Sequence, residues 1–126
     1  MADKKNPKDE NSGAGRKLDF GKARFDLIPV KSLFLLAKLY AYGTTKYAVR
    51  NWERGMDFGR LFAAACRHLW CWWGGEKYDP VDGQHHLVAA MWNIMALHEL
   101  EETHPECDDR EPQNKRHTSS EDMLNG

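Results

Sequence analysis

The chain has 126 residues, 18 basic and 19 acidic, giving a formal net charge of −1, with 41% hydrophobic residues. That balance excludes the strong electrostatic footprint of a protein that coats nucleic acid or a membrane surface, and no apolar run has the length of a membrane span or signal peptide. Three cysteines (Cys66, Cys71, Cys107) are odd in number and spaced unlike a disulfide framework, which predicts reduced thiols in a soluble cytoplasmic protein.

Residues 1–19 and 103–126 are polar throughout, with too little apolar material to offset the entropy of ordering them. They read as disordered tails around one helical domain at 20–102. A core of that size is marginal by itself, and self-association is the expected source of extra stability.

In chain order, Gly21 to Pro29 is a compact charged element leading into the first helix, for which Pro29 suits the opening turn. That helix is expected from about Pro29 to Tyr42, with Leu33, Leu36, Ala37 and Tyr40 recurring at spacings of three and four. The second runs from an Asp57 N-cap to Trp73, where Gly74 and Gly75 stop it. Asp79-Pro80 is a turn signal, and a third helix is expected from near Asp82 to about Glu102. No segment alternates with period two. The fold class is therefore all-α: a compact bundle of three main helices, the second and third as an antiparallel hairpin. Leu61, Phe62, Ala65, Leu69, Trp72 and Trp73 are expected to face one way, with Trp70 on another side. Three helices cannot cover so much apolar surface, which predicts completion by dimerisation or a larger homo-oligomer.

The chemistry-bearing residues gather around the second connection. Glu76 and Asp79, three apart in an expected helical turn, share one side and suit one or two Mg²⁺ ions, or Mn²⁺, with Asp82 close behind. The alternative is a solvated polar loop. His86, four residues after Asp82, is expected on the same helix face, and His68 is expected to meet it across the hairpin. Either imidazole serves as base or phosphate positioner, or both are hydrogen-bonded core residues. Arg60 and Arg67 align seven apart on the second helix, suited to phosphate oxygens or to bridging the nearby carboxylates. Cys66 and Cys71 are about 140° apart around a helix, so both thiols cannot reach one zinc ion. Lys46, Tyr47, Asn51 and Trp52 mix aromatic, amide and basic groups that either contact a base or pin a loop. Oxygen and imidazole ligands beside cationic side chains point to metal-dependent hydrolysis of a nucleotide.

The ordered motifs Lys-x-Arg-Phe-Asp-Leu-Ile-Pro (22–29), Tyr-Gly-x-x-Lys-Tyr (42–47), Asn-Trp-x-x-Gly (51–55), Arg-His-Leu (67–69), Gly-Glu-x-x-Asp (75–79) and His-Leu (86–87) resemble the phage and bacterial family described as dATP/dGTP diphosphohydrolase, N-terminal domain. The resemblance spans about residues 22–100. It implies hydrolysis of deoxypurine triphosphates to monophosphate and pyrophosphate with a divalent metal, adjusting nucleotide pools in a host cytoplasm. The wider MazG-like all-α pyrophosphohydrolases carry a Glu-x-x-Glu pair on one helix and a Glu-x-x-Asp pair on the next. This sequence keeps only the second, Glu76 and Asp79. On those residues metal falls to Glu76, Asp79 and Asp82, catalysis to His68, His86 and Arg67, and substrate contacts to Lys46, Tyr47, Asn51, Trp52 and Arg60. The competing reading is a non-catalytic helical module that binds a nucleotide or a protein.

Overall fold

The computed structural model describes residue 18, residues 20–112 and residues 119–125; the rest of the expected tails lies outside them. Two units divide the chain at residue 30. The first holds a 3₁₀ turn, Phe25–Leu27, beside an exposed Arg24–Asp26 ion pair at 2.6 Å. The second holds the bundle. Among the described residues there is no strand, and the fold is all-α.

Helix α1 spans Val30–Gly43. It does not resume after Gly43: the Thr44 and Thr45 hydroxyls donate to the carbonyls of Ala41 and Tyr42, both at 2.7 Å, satisfying groups that the helix end leaves open. Its only buried residue is Leu36. A 3₁₀ turn at Asn51–Arg54 follows, closed by Gly55 at φ 108°, a conformation that favours glycine. A Cβ there would lie 3.1 Å from both Cys107 Sγ and His104 Cδ2.

Helix α2 spans Phe58–Trp73 and helix α3 spans His86–Thr103. Phe58, Leu61, Ala96 and Leu100 form the buried apolar cluster, with Trp52, Met56, Trp92, Leu97 and Cys107 packed against it. Early α2 residues thus meet late α3 residues, while His68 and His86 meet at the other end; the pair is antiparallel. Burial on α3 falls at 86, 89, 90, 93, 96 and 100, the stripe expected of one helix face, with Val88 buried to one side of it. Three of those positions are alanine, which lets the helices approach closely. Each fully buried large side chain here contributes about 1.5–3 kcal/mol.

Two expectations need correction. Helix α3 begins at His86, not near Asp82, because His85 is the N-cap: its Nδ1 accepts from the Leu87 N–H at 3.0 Å. Asp82 is therefore a loop residue and shares no helix face with His86. On α2, Leu61 and Ala65 are buried, but Phe62, Leu69, Trp72 and Trp73 are exposed along with Trp70. The hairpin buries one narrow stripe of α2 and leaves the remaining apolar side chains in solvent.

Residues 105–109, assigned from sequence to the tail, form a 3₁₀ turn at Pro105–Cys107 and then reach α2, where Asp109 Oδ1 accepts the Gly59 N–H at 2.8 Å. A short helix α4, Ser120–Asn125, carries no buried residue. No described helix is long and apolar enough to cross a membrane.

Candidate functional site

The loop between α2 and α3 is built by backbone, and it delivers the chemistry. Gly74 and Gly75 close α2 on the carbonyls of Trp70 and Trp72, and Gly75 takes φ 105°. The chain then doubles back: Tyr78 and His85 form an isolated antiparallel bridge, Asp79 N–H donates to Gln84 at 2.8 Å, and His86 N–H donates to Lys77 at 3.0 Å. Asp79 and Asp82 each use Oδ1 to accept a backbone N–H two residues ahead, Val81 at 2.9 Å and Gln84 at 3.0 Å. These small turns hold the carboxylates in place. The expected helical turn around Glu76 and Asp79 is absent; a pinned loop replaces it.

This loop seats His86 against its partners. The His86 side chain is 3% exposed, and its Nε2 lies 2.7 Å from Glu76 Oε1. An ionised carboxylate only accepts, so His86 Nε2 carries the proton. On the other edge of the ring, His86 Nδ1 faces His68 Nδ1 at 2.9 Å. One proton serves those two nitrogens. Burial, then the facing His86, hold the His68 pKa below the ordinary histidine value, against the pull of Asp79 and Asp82. His68 is therefore neutral near pH 7.

Among the described residues two sets of donor atoms each lie within 4.8 Å: His68, Asp79 and His86, and separately Cys71, Glu76 and His86. The second uses one α2 thiol without the other, consistent with the angular separation of Cys66 and Cys71. Asn93, also buried, turns its amide onto its own helix, Nδ2 donating to the Ala89 carbonyl at 2.8 Å.

Beside this cluster opens a cleft of about 900 Å³. Among its lining side chains Tyr40, Trp52 and Trp92 pack together with ring centroids 5.6–6.4 Å apart. Also lining the cleft are His68, Asp82, Gln84 and Asn93. Lys46, Tyr47, Asn51, Trp52 and Arg60 all line it, as does Arg50, held at φ 60° and paired with Glu53 at 2.9 Å. A left-handed non-glycine residue costs about 1–2 kcal/mol and tends to mark a functional loop.

Of the residues singled out from sequence, Glu76, Asp79, His68 and His86 come together at the loop, and Asp82 stands on the cleft side. Arg67 is exposed and does not line the cleft; it shares a helix face with Arg60 but lies about two turns further along α2, and only Arg60 reaches the lining. Tyr40 and Trp92 line the cleft although their helical spacing reads as core. A sequence signal for them is thin: both are aromatics with a polar edge, placed where Leu would have filled a dry core.

The fold and the cleft define an all-α protein with a histidine–carboxylate cluster whose His68 also lines a groove rich in aromatic side chains. Residues 12–110 match the family described as dATP/dGTP diphosphohydrolase, N-terminal, and the chain belongs to that family. A protein of Salmonella phage PMBT28 named dATP/dGTP diphosphohydrolase is 33% identical over 96 residues, covering 76% of this chain and 33% of the phage protein. The chain thus spans about a third of that relative's length. No solved structure matches it.

Proposed function

We propose that this protein hydrolyses deoxypurine nucleoside triphosphates, dATP and dGTP, to the monophosphate and pyrophosphate with the help of a divalent metal. One observation carries the reading: a single cleft is lined by aromatic and amide side chains suited to a base, by the cationic Lys46, Arg50 and Arg60, and by His68 and Asp82. The name of the phage relative supplies the substrate class.

Trp52 and Tyr47 offer faces for stacking a purine, and Asn51 offers an amide for its edge. Lys46 and Arg60 offset phosphate charge and orient the chain of phosphates. Asp79, His68 and His86 offer one carboxylate and two imidazoles to a cation. That mixed set fits Mn²⁺ or a similar borderline ion better than Mg²⁺, which prefers oxygen ligands. A bound divalent ion would polarise the phosphoryl oxygens and draw water into attack. Asp82, through the oxygen not engaged with Gln84, accepts the water's proton. Attack at the α-phosphorus breaks its bond to the bridging oxygen, and pyrophosphate departs with that oxygen.

Self-association belongs to the same proposal. Phe62, Leu69, Trp70, Trp73, Ile94 and Met95 are exposed on the two helices that also carry the site, and a second copy of the chain would cover them.

The test is incubation of purified protein with ribo- and deoxynucleoside triphosphates plus Mn²⁺ or Mg²⁺, with products resolved by chromatography. Monophosphate and pyrophosphate from dATP and dGTP are expected. A nucleotide that raises the melting temperature but is never consumed would favour the binding-module reading. Inorganic phosphate or triphosphate as product would instead indicate a different phosphohydrolase.

A further inference from the structure

We propose that the loop cluster is a transition-metal site on the Nδ1 edge of His86, with His68 Nδ1, His86 Nδ1 and Asp79 as ligands and Glu76 as the residue that positions His86 rather than as a ligand. The inference rests on the proposed metal dependence but sorts the roles within it.

Three observations lead there. His86 has two edges and both are occupied, but by different kinds of group. Its Nε2 meets a carboxylate at 2.7 Å, the arrangement in which a carboxylate fixes the tautomer and ring orientation of a metal-binding histidine from outside. With the proton held at Nε2, the lone pair of the neutral ring must sit at Nδ1. That nitrogen points at another Nδ1 only 2.9 Å away. Two lone pairs so close repel unless something positive lies between or beside them: a shared proton, or a cation.

The spacing speaks to geometry. Two nitrogens 2.9 Å apart, each about 2.1 Å from one ion, subtend close to a right angle there. Adjacent positions of an octahedron make that angle; the tetrahedral arrangement of zinc is wider. Asp79 lies within 4.8 Å of both imidazoles and has one oxygen committed to Val81, which leaves its second oxygen to complete a facial set of two histidines and one carboxylate. Such a set is diagnostic of non-haem Fe²⁺ chemistry and accommodates Mn²⁺ and Co²⁺ as well.

The rival donor group, Cys71 with Glu76 and His86, shares the same histidine from its other edge. The cleft favours the first group. Of its three ligands His68 lines the cleft, with Asp82 beside it, while Asp79 and His86 do not; of Cys71, Glu76 and His86 none lines it. An ion on the Nδ1 edge is therefore held by the one ligand that reaches the cleft.

The experiment measures the metal directly, without turnover. Mn²⁺ is added to the metal-free full chain, affinity is read by calorimetry, and ligand nitrogens are read by pulsed electron paramagnetic resonance; Co²⁺ absorption reports any thiolate. Imidazole nitrogen couplings are expected in the unaltered protein, with Mn²⁺ bound more tightly than Mg²⁺. His68→Ala and Asp79→Asn should each weaken Mn²⁺ by about 100-fold or more, and His68→Ala should remove one set of couplings. Glu76→Gln should weaken binding by about 10- to 100-fold while leaving the couplings in place, the mark of an outer partner. Cys71→Ser should change nothing. Absence of nitrogen coupling, a thiolate-to-cobalt band lost in Cys71→Ser, or a changed coordination spectrum in Glu76→Gln would each overturn the assignment. The coupling measurement needs no variant, so misfolding of one cannot shelter the proposal. Nitrogen-coupled Mn²⁺ in a protein that hydrolyses no nucleotide would uphold this site and sink the proposed activity; the reverse pattern would do the opposite.

Discussion

The two ends of the α2–α3 hairpin bury their side chains by different means. At the end near Phe58 and Leu100 the contact is dry: Leu61, Ala96 and Leu100 are 0–3% exposed, and the partly buried neighbours are mainly aromatic or aliphatic. At the loop end the buried residues Val88, Ala89 and Ala90 are joined by a histidine, held between a carboxylate on one edge and another imidazole on the other. The dry end gains free energy from burial itself. The loop end gains little, because each buried polar group first loses water and is then only repaid by its partner. Under the proposed function, a small protein keeps such a network, where Leu or Val would pack at less cost, for its chemistry.

The largest expected effect lies at the dry end. Leu100→Ala should lower unfolding free energy by about 2–5 kcal/mol, through lost transfer energy and the cavity left behind. Urea denaturation measures it, and Mn²⁺ affinity of the molecules that remain folded should be unchanged. A comparable loss of metal affinity would mean the two ends are not separable. Asp79→Asn should do the converse, with turnover of dATP down by about 100-fold, equivalent to about 2.7 kcal/mol, and stability altered by about 0.5 kcal/mol or less. Retention of full turnover would remove Asp79 from the site. Between the two ends stands Gly55, at φ 108°. Gly55→Ala combines backbone strain with contacts against Cys107 and His104, and a loss of about 1–3 kcal/mol in thermal or urea unfolding is expected.

How far the sequence discloses this arrangement follows the same division. The dry end is half legible: Leu61 and Ala65 recur at helical spacing on α2 and are buried, but on α3 the contact falls on Ala96 and Leu100, while the bulkier Ile94 and Met95, which hydropathy favours, are exposed. The encounter of His68 with His86 is legible too, since an antiparallel hairpin places those positions together. The loop between them is not. Glu76, Asp79 and Asp82 have spacings that suit a helix, and only the positive φ of Gly75 and Gly83 and the Tyr78–His85 bridge turn that stretch into a pinned return. Those are choices made by tertiary context. Tyr40 and Trp92 were hidden for the opposite reason: periodicity marks a side chain as facing inward, but does not separate a packed interior from the wall of a cleft. The segment 105–109 shows a third limit. Its polar composition argues against a core, yet one thiol against the core and one carboxylate on the Gly59 N–H suffice to seat it.

That seat supplies the mildest probe of the comparison, because the three cysteines sample both ends. Cys66 and Cys71 are exposed on α2, Cys71 beside the loop, while Cys107 is half-buried against the dry end. Its burial, followed by the charges of Glu106, Asp57 and Asp109, pushes the Cys107 thiol above its ordinary pKa. The thiolate is the reactive form, so access and ionisation both disfavour reaction there. Limited alkylation with iodoacetamide near pH 8, followed by peptide mass analysis, should modify Cys66 and Cys71 first and Cys107 last. Asp109→Ala, which releases the carboxylate from Gly59, should raise the Cys107 rate while leaving the other two unchanged. If Cys107 reacts as fast as Cys66 in the unaltered protein, the segment after α3 is not seated on the hairpin, and the dry end is open on the side where the structure closes it.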